Sequence, residues 1–178
     1  DRHNSSLIIK HDKILKQMKP VIIPIENKFE NAIADLILNI QINEFNVPIT
    51  KEDQPDLFNI QNFYYAGGGG FWGAFINDEL VGTIALVKFD EYSAAIRKMF
   101  VKKEFRGKEF SIAQKLLETL IEYCKENGID DLYLGTVAIL VAALRFYEKN
   151  DFVRIEKEAL PEKFPLMKPD NVFCHLKL

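Results

Sequence analysis

Apolar positions along this chain change their spacing several times, and each change marks an element. Leu7, Ile8, Ile14, Leu15 and Met18 fall near helical spacing with lysines between them, predicting a short amphipathic helix over 7–18. Val21 to Ile25 is a β-branched run whose Pro24 suits an edge strand, because proline cannot donate to a sheet ladder. Ile33, Leu36, Ile37 and Ile40 form one stripe and predict a helix from Phe29 to Phe45. Glu52 to Tyr65 reads as a second helix, interrupted by Pro55, and four successive glycines from Gly67 to Gly70 then break the chain.

A meander follows, with strands over Phe71 to Ile76, Leu80 to Phe89 and Tyr92 to Val101. Asn77-Asp78 and Asp90-Glu91 mark its turns. Ile112 to Asn127 is an amphipathic helix stopped by Gly128. Asp131 to Thr136 reads as a strand, Ile139 to Asn150 as a helix, and Phe152 to Lys157 and Val172 to Leu178 as strands. The order β-α-α-β-β-β-α-β-α-β-β predicts an α/β fold, a mixed central sheet of about six to seven strands flanked by helices. The strand–helix–strand crossover in its middle forces one parallel pair into an otherwise antiparallel sheet.

With 178 residues and neither repeats nor a low-complexity linker, the chain reads as one domain, 1–178, with 1–20 an N-terminal extension. A net charge of −3 and an isoelectric point near 5.7 argue against general affinity for nucleic acid or anionic membrane, so any basic feature that matters is local. Cys124 and Cys174 are too few for a disulfide framework and read as buried thiols in a reducing compartment. No apolar run approaches the ~20 residues that span a bilayer, and no cleavable signal is visible. The chain begins at Asp1 rather than Met, so it reads as part of a longer or processed product, soluble and cytoplasmic.

Chemistry concentrates between Ser93 and Phe152. A strand ending in Arg97-Lys98-Met99-Phe100-Val101 runs into a basic, glycine-bearing turn, Phe105 to Ala113, and then into a long helix. A helix entered this way can hold phosphate, since its first amides lack acceptors and its dipole is positive there. The four-glycine run lacks the Gly-Lys-Ser/Thr ending of a nucleotide loop and reads as a connector. His3, His11 and His175 have no zinc-ligand spacing, so no metal is expected, and Cys124 has no nearby histidine to activate it.

These elements and residues resemble the GNAT superfamily of N-acyltransferases, in element order from Val21 to Leu178 and specifically from Met99 to Phe152. The resemblance makes 93–152 the coenzyme A-binding core. It aligns Lys108 with the first residue of the family's (Gln/Arg)-x-x-Gly-x-(Gly/Ala) turn, Ser111 with its first glycine and Ala113 with its small last residue. It implies pyrophosphate on the amides of Lys108, Glu109, Phe110, Ser111, Ile112 and Ala113, with Arg106 and Gly107 as a coenzyme-binding extension of the loop, and pantetheine along Met99, Phe100 and Val101. Tyr147, with Ala143 one turn before it and Asp151-Phe152 in place of the frequent Gly-Phe, aligns with the tyrosine that protonates the departing thiolate. Leu140 stands where an asparagine is often found, and Ala95 where some members carry a basic glutamate. For the base, Glu91, Asp90, Glu44 and a water relay remain open.

The implied activity is transfer of acetyl from acetyl-CoA, as co-substrate, to a primary amine by direct attack within a ternary complex. The acceptor is a small amine, an aminoglycoside-like drug, an amino acid or a peptide N-terminus, on a monomer or homodimer. Two other readings are a non-catalytic acyl-CoA sensor on the same fold and an interaction module with no ligand. Tyr64, Tyr65 and Trp72 flank the glycine run and read either as acceptor-pocket residues or, for at least two of them, as core. The stiff segment from Leu160 to Met167 either closes one side of the cleft or caps the core.

Overall fold

The computed structural model describes residues 5–10 and 19–178. Residues 5–10 are helical and exposed, and the rest of the amphipathic helix expected over 7–18 lies outside the described residues. Seven strands form one sheet: β1 (Val21–Pro24), β2 (Gly70–Ile76), β3 (Glu79–Lys88), β4 (Ser93–Val101), β5 (Asp131–Thr136), β6 (Val153–Ile155) and β7 (Val172–Lys177). Their order is β1-β2-β3-β4-β5-β7-β6, with every neighbouring pair antiparallel except β4–β5. The fold is therefore the expected α/β domain, and Pro24 lies on the edge strand β1.

Local chemistry explains the elements. Asn77 and Asp78 both take positive φ (48° and 66°), the conformation that lets a two-residue turn follow the right-handed twist of β2 and β3. β3 is buried along most of its length because the sheet is covered on both faces. One face carries α1 (Glu30–Leu38), which widens into a π-turn over Asn39–Glu44 and buries Ile33, Leu36, Ile37 and Ile40. The other carries α2 (Ile112–Glu126) and α3 (Val141–Lys149), whose buried residues include Leu116, Leu117, Leu120 and Tyr147. The second helix expected from Glu52 to Tyr65 is not an α-helix. Pro55 opens a 3₁₀ turn ending at Phe58, Asn59 leaves helical geometry (φ −155°), and a separate π-turn covers Gln61–Tyr65.

Strand β4 positions the site. Its first residues pair with β5, Ser93 with Asp131 through Ala95 with Tyr133, and the pairing stops there. On its other side Thr83 faces Phe100 and Ala85 faces Arg97, so Lys98 and Met99 together oppose Ile84 in a β-bulge. Lys98 takes φ 53° within the bulge, and Thr83 Oγ1 donates to its carbonyl at 2.7 Å. A bulge bends a strand, and here the bend coincides with the separation of β4 from β5. Beyond Tyr133, β5 continues through Thr136 paired only with β7.

Candidate active site

The separation of β4 and β5 opens a cleft of about 520 Å3, in the range of small-molecule sites. Ile96 to Val101 form one wall, Leu134 to Val137 another, and Ala143, Phe146 and Tyr147 from α3 a third. Of the sequence-derived residues, Met99, Phe100, Val101, Arg106, Ala113 and Tyr147 line it, and Gly107, Lys108, Glu109, Phe110, Ser111 and Ile112 do not.

The turn before α2 is held open by two left-handed residues, Gly107 (φ 118°) and Ser111 (φ 51°). Ser111 thus adopts a glycine-like conformation at the position aligned with a family glycine. Its amide donates to Gly107 O (3.2 Å) and its hydroxyl to Lys108 O (2.9 Å), so the side chain folds into the turn rather than capping the helix. Among the described residues, the amides of Ile112, Ala113 and Gln114 meet no protein acceptor. Phe105 and Phe110 anchor the turn edge to face, with ring centroids 5.5 Å apart.

Arg106 is committed elsewhere. Its guanidinium forks onto both oxygens of Glu44 (Nη2 to Oε2, 2.9 Å), its Nε donates to Val101 O at 2.8 Å, and it lies over the Phe45 ring. The fork holds the Glu44 carboxyl below the usual glutamate range.

Tyr147 is buried between Phe146 and Phe152, with centroids 5.5 and 5.4 Å away. Burial pushes its phenol well above the ordinary value, so it stays protonated through the physiological range. Asp151, at the position of the Gly-Phe glycine, ends α3 with φ 69°.

The opposite face of the cleft is charged. Lys98, 8% exposed, donates to Gln54 Oε1 at 2.6 Å and lies 3.5 Å from Asp56 Oδ2. Tyr64 donates a short hydrogen bond to the same Asp56 oxygen. Desolvation lowers the Lys98 pKa, Asp56 opposes that shift, and the Arg97 charge adds to it. The Arg97 guanidinium reaches Pro165 O and Met167 Sδ, tying down the segment before β7. Asp170, on that segment, lines the same space and is pushed up to about 6, chiefly by burial.

Of the four bases left open by the sequence, Glu44 is taken by Arg106, while Asp90 and Glu91 lie in the β3–β4 turn away from the cleft lining. Tyr64, Tyr65 and Trp72 pack internally and do not line the cleft. The glycine run packs against α2, with Tyr123 donating to the Gly68 carbonyl at 2.7 Å. Phe164 and Met167 do line the cleft, as expected for the segment from Leu160 to Met167. Arg97, Lys98, Gln54, Asp56 and Asp170 were missed. The available signal was two adjacent cations inside an otherwise apolar strand. Cys124 and Cys174 are both buried free thiols, and burial pushes Cys124 up to about 12. Among the described residues, no helix is long and apolar enough to cross a membrane.

A strand pair that parts beside a helix entered through an open-amide turn is the arrangement of acyl-CoA-dependent transferases. The family model described as Acetyltransferase (GNAT) family matches residues 34–152, and the chain belongs to that family. A crystal structure of a GNAT-family acetyltransferase from Staphylococcus aureus is 41% identical, with a TM-score of 0.86, over 89% of this chain and 98% of that one. An N-acetyltransferase from Thermoplasma acidophilum in complex with coenzyme A shares the fold at 17% identity, with a TM-score of 0.71 over 90% of this chain and 100% of that one. The N-acetylaspartate synthetase of Danio rerio is 33% identical over 102 residues, which are 56% of this chain and 36% of that protein. The match thus spans about a third of the length of that relative.

Proposed function

We propose that the protein transfers acetyl from acetyl-CoA to the primary amine of a small acceptor that also carries a carboxylate. The carrying observation is the parted β4–β5 pair, apolar toward α3 and lined on its other face by Arg97 and Lys98. The pantetheine lies along Met99, Phe100 and Val101, and the pyrophosphate meets the amides from Lys108 to Ala113. Of these, the amides of Ile112 and Ala113 meet no acceptor among the described residues and supply the charge-assisted hydrogen bonds. A neutral amine attacks the thioester within a ternary complex. Positioning supplies much of the rate, because a thioester is already activated. Tyr147 lends its proton to the leaving sulfur.

Arg97 and Lys98 place two cations on this face beside the carboxylates of Asp56 and Asp170, and an acceptor that brings its own carboxylate can pair with those cations. The name of the Danio rerio relative points to such an amine. The test is thiol release from acetyl-CoA with three acceptor sets: aspartate and glutamate, their amides, and polyamines or aminoglycosides. Turnover is expected with the dicarboxylic amino acids and weak or absent with the cationic amines. The reverse ranking sinks the acceptor assignment. Tight acetyl-CoA binding without thiol release from any acceptor sinks the transferase and leaves an acyl-CoA sensor.

A further inference from the structure

We infer that Asp170 is the catalytic base, taking the proton that leaves the acceptor nitrogen as the nitrogen–carbonyl bond forms. This rests on the transfer proposed above and completes it.

The neighbouring carboxylates are already engaged. Glu44 is forked by Arg106, Asp56 holds Tyr64 and Lys98, and Asp131 accepts from His175 (2.7 Å) and Lys177 (3.3 Å). Among the described residues, the Asp170 carboxylate accepts no hydrogen bond, and it lines the cleft. Its place is made by a glycine. A Cβ on Gly135 would stand 2.5 Å from Asp170 Oδ2, so only a residue without a side chain lets the carboxylate reach the β5 edge of the gap.

Strand alternation fixes the side. Leu132 and Leu134 pack in the core with Tyr147, whereas Tyr133 packs with Phe164 and Phe173 on the other face, which Gly135 shares. Asp170 and Tyr147 therefore flank the gap from opposite faces of the sheet. An acetyl group held between them meets its nucleophile from the Asp170 side and releases its sulfur toward Tyr147. The balance closes: the N–C bond forms, the C–S bond breaks, Asp170 gains the proton from nitrogen and Tyr147 gives one to sulfur. Exchange with solvent then resets both groups.

The charged groups facing Asp170 are Arg97 and Lys98 of β4, both favouring the ionised form; β5 and β7 present Gly135 and Phe173. Burial outweighs the two cations and raises the carboxyl to about 6. A base so placed is ionised at neutral pH yet basic enough to share a proton in the transition state.

The experiment measures kcat/KM for the best amine between pH 5 and 9, in wild type, Asp170→Asn and Asp170→Ala, with acetyl-CoA binding measured in parallel. Expected are a wild-type acid limb near 6, a loss of about 10²–10⁴-fold in Asp170→Asn with that limb gone, near-normal acetyl-CoA affinity, and formate rescue of Asp170→Ala alone. Activity within a few-fold of wild type in Asp170→Asn overturns the assignment, as does a surviving limb near 6 in that variant. If both variants fail to bind acetyl-CoA, the wild-type profile decides, and a profile flat from pH 5 to 7 rejects the base. Failure of the transfer itself is seen separately, as absence of thiol release by wild type.

Discussion

The two walls of the cleft are built by different rules. The proposed coenzyme wall comes from neighbours in sequence, Met99 to Val101, the turn from Arg106 to Ala113, and α3. It offers mostly backbone amides and apolar surface. The proposed acceptor wall gathers distant polar side chains. Lys98 reaches Gln54 across 44 positions, and Arg97 reaches Met167 across 70. A wall made of main chain tolerates substitution if the torsions survive, as Ser111 shows by taking a left-handed φ. A wall made of buried charges does not, because each charge depends on its partner.

The sharpest break in that contrast is Tyr147, the one side chain of the coenzyme wall proposed to do chemistry. Tyr147→Phe keeps the buried ring, so acetyl-CoA affinity should hold while kcat falls by about 10²–10⁴-fold. Equilibrium binding and steady-state turnover check this, and unchanged turnover removes the phenol from the mechanism.

Next in size is Lys98→Met, which leaves Asp56 facing the interior without its cation. Losing one partner of a buried pair costs about 3–5 kcal/mol, and the partial exposure of Asp56 (19%) places this case at the low end. Adding Asp56→Asn should recover most of the stability while acceptor KM stays high. Denaturant unfolding and acceptor kinetics on the four members of this cycle separate the structural from the recognition role. Recovery of acceptor KM in the double variant would show that Lys98 only serves Asp56.

The contrast also explains what could be read from the chain. The element order, the crossover and the turn from Arg106 to Ala113 were legible because period, capping and turn chemistry are local. The failure at Glu52 to Tyr65 was local too. The stretch reads as a helix interrupted at Pro55, but Pro55 and the backbone of Asn59 divide it into two turns. The acceptor wall was not legible, because Gln54, Asp56 and Asp170 meet β4 only through tertiary closure. The position of Asp170 depends on Gly135, whose lack of a side chain carries no sequence signal for a carboxylate 35 positions later.

Ser111→Gly is a smaller test of the main-chain wall. Relief of left-handed strain is worth about 1 kcal/mol, offset in part by loss of the Ser111 hydroxyl bond to Lys108 O. Stability should rise slightly or hold, and acetyl-CoA affinity should hold or tighten a few-fold. A marked loss of affinity in calorimetric titration would mean that the hydroxyl itself serves the site.

The smallest effect is expected where the two walls are tied together. Glu44 ends the π-turn on the acceptor side and Arg106 opens the turn on the coenzyme side, so their ion pair bridges both. Both side chains are partly exposed, 34% for Arg106 and 23% for Glu44, so solvent screening keeps the pair below about 1 kcal/mol. Because the Arg106 fork lowers the folded-state pKa of Glu44, the folded protein binds fewer protons there than the unfolded chain. The pair's contribution is therefore complete above the ordinary value of 4.5 and is lost as pH falls through the lower folded value. Glu44→Gln should be slightly less stable than wild type at pH 7, with the two unfolding curves converging in acid. Arg106, released, should raise acetyl-CoA KM by no more than a few-fold. A gap in stability that persists at pH 3 would show that Glu44 acts by packing and not by charge, and the bridge between the walls would then be steric.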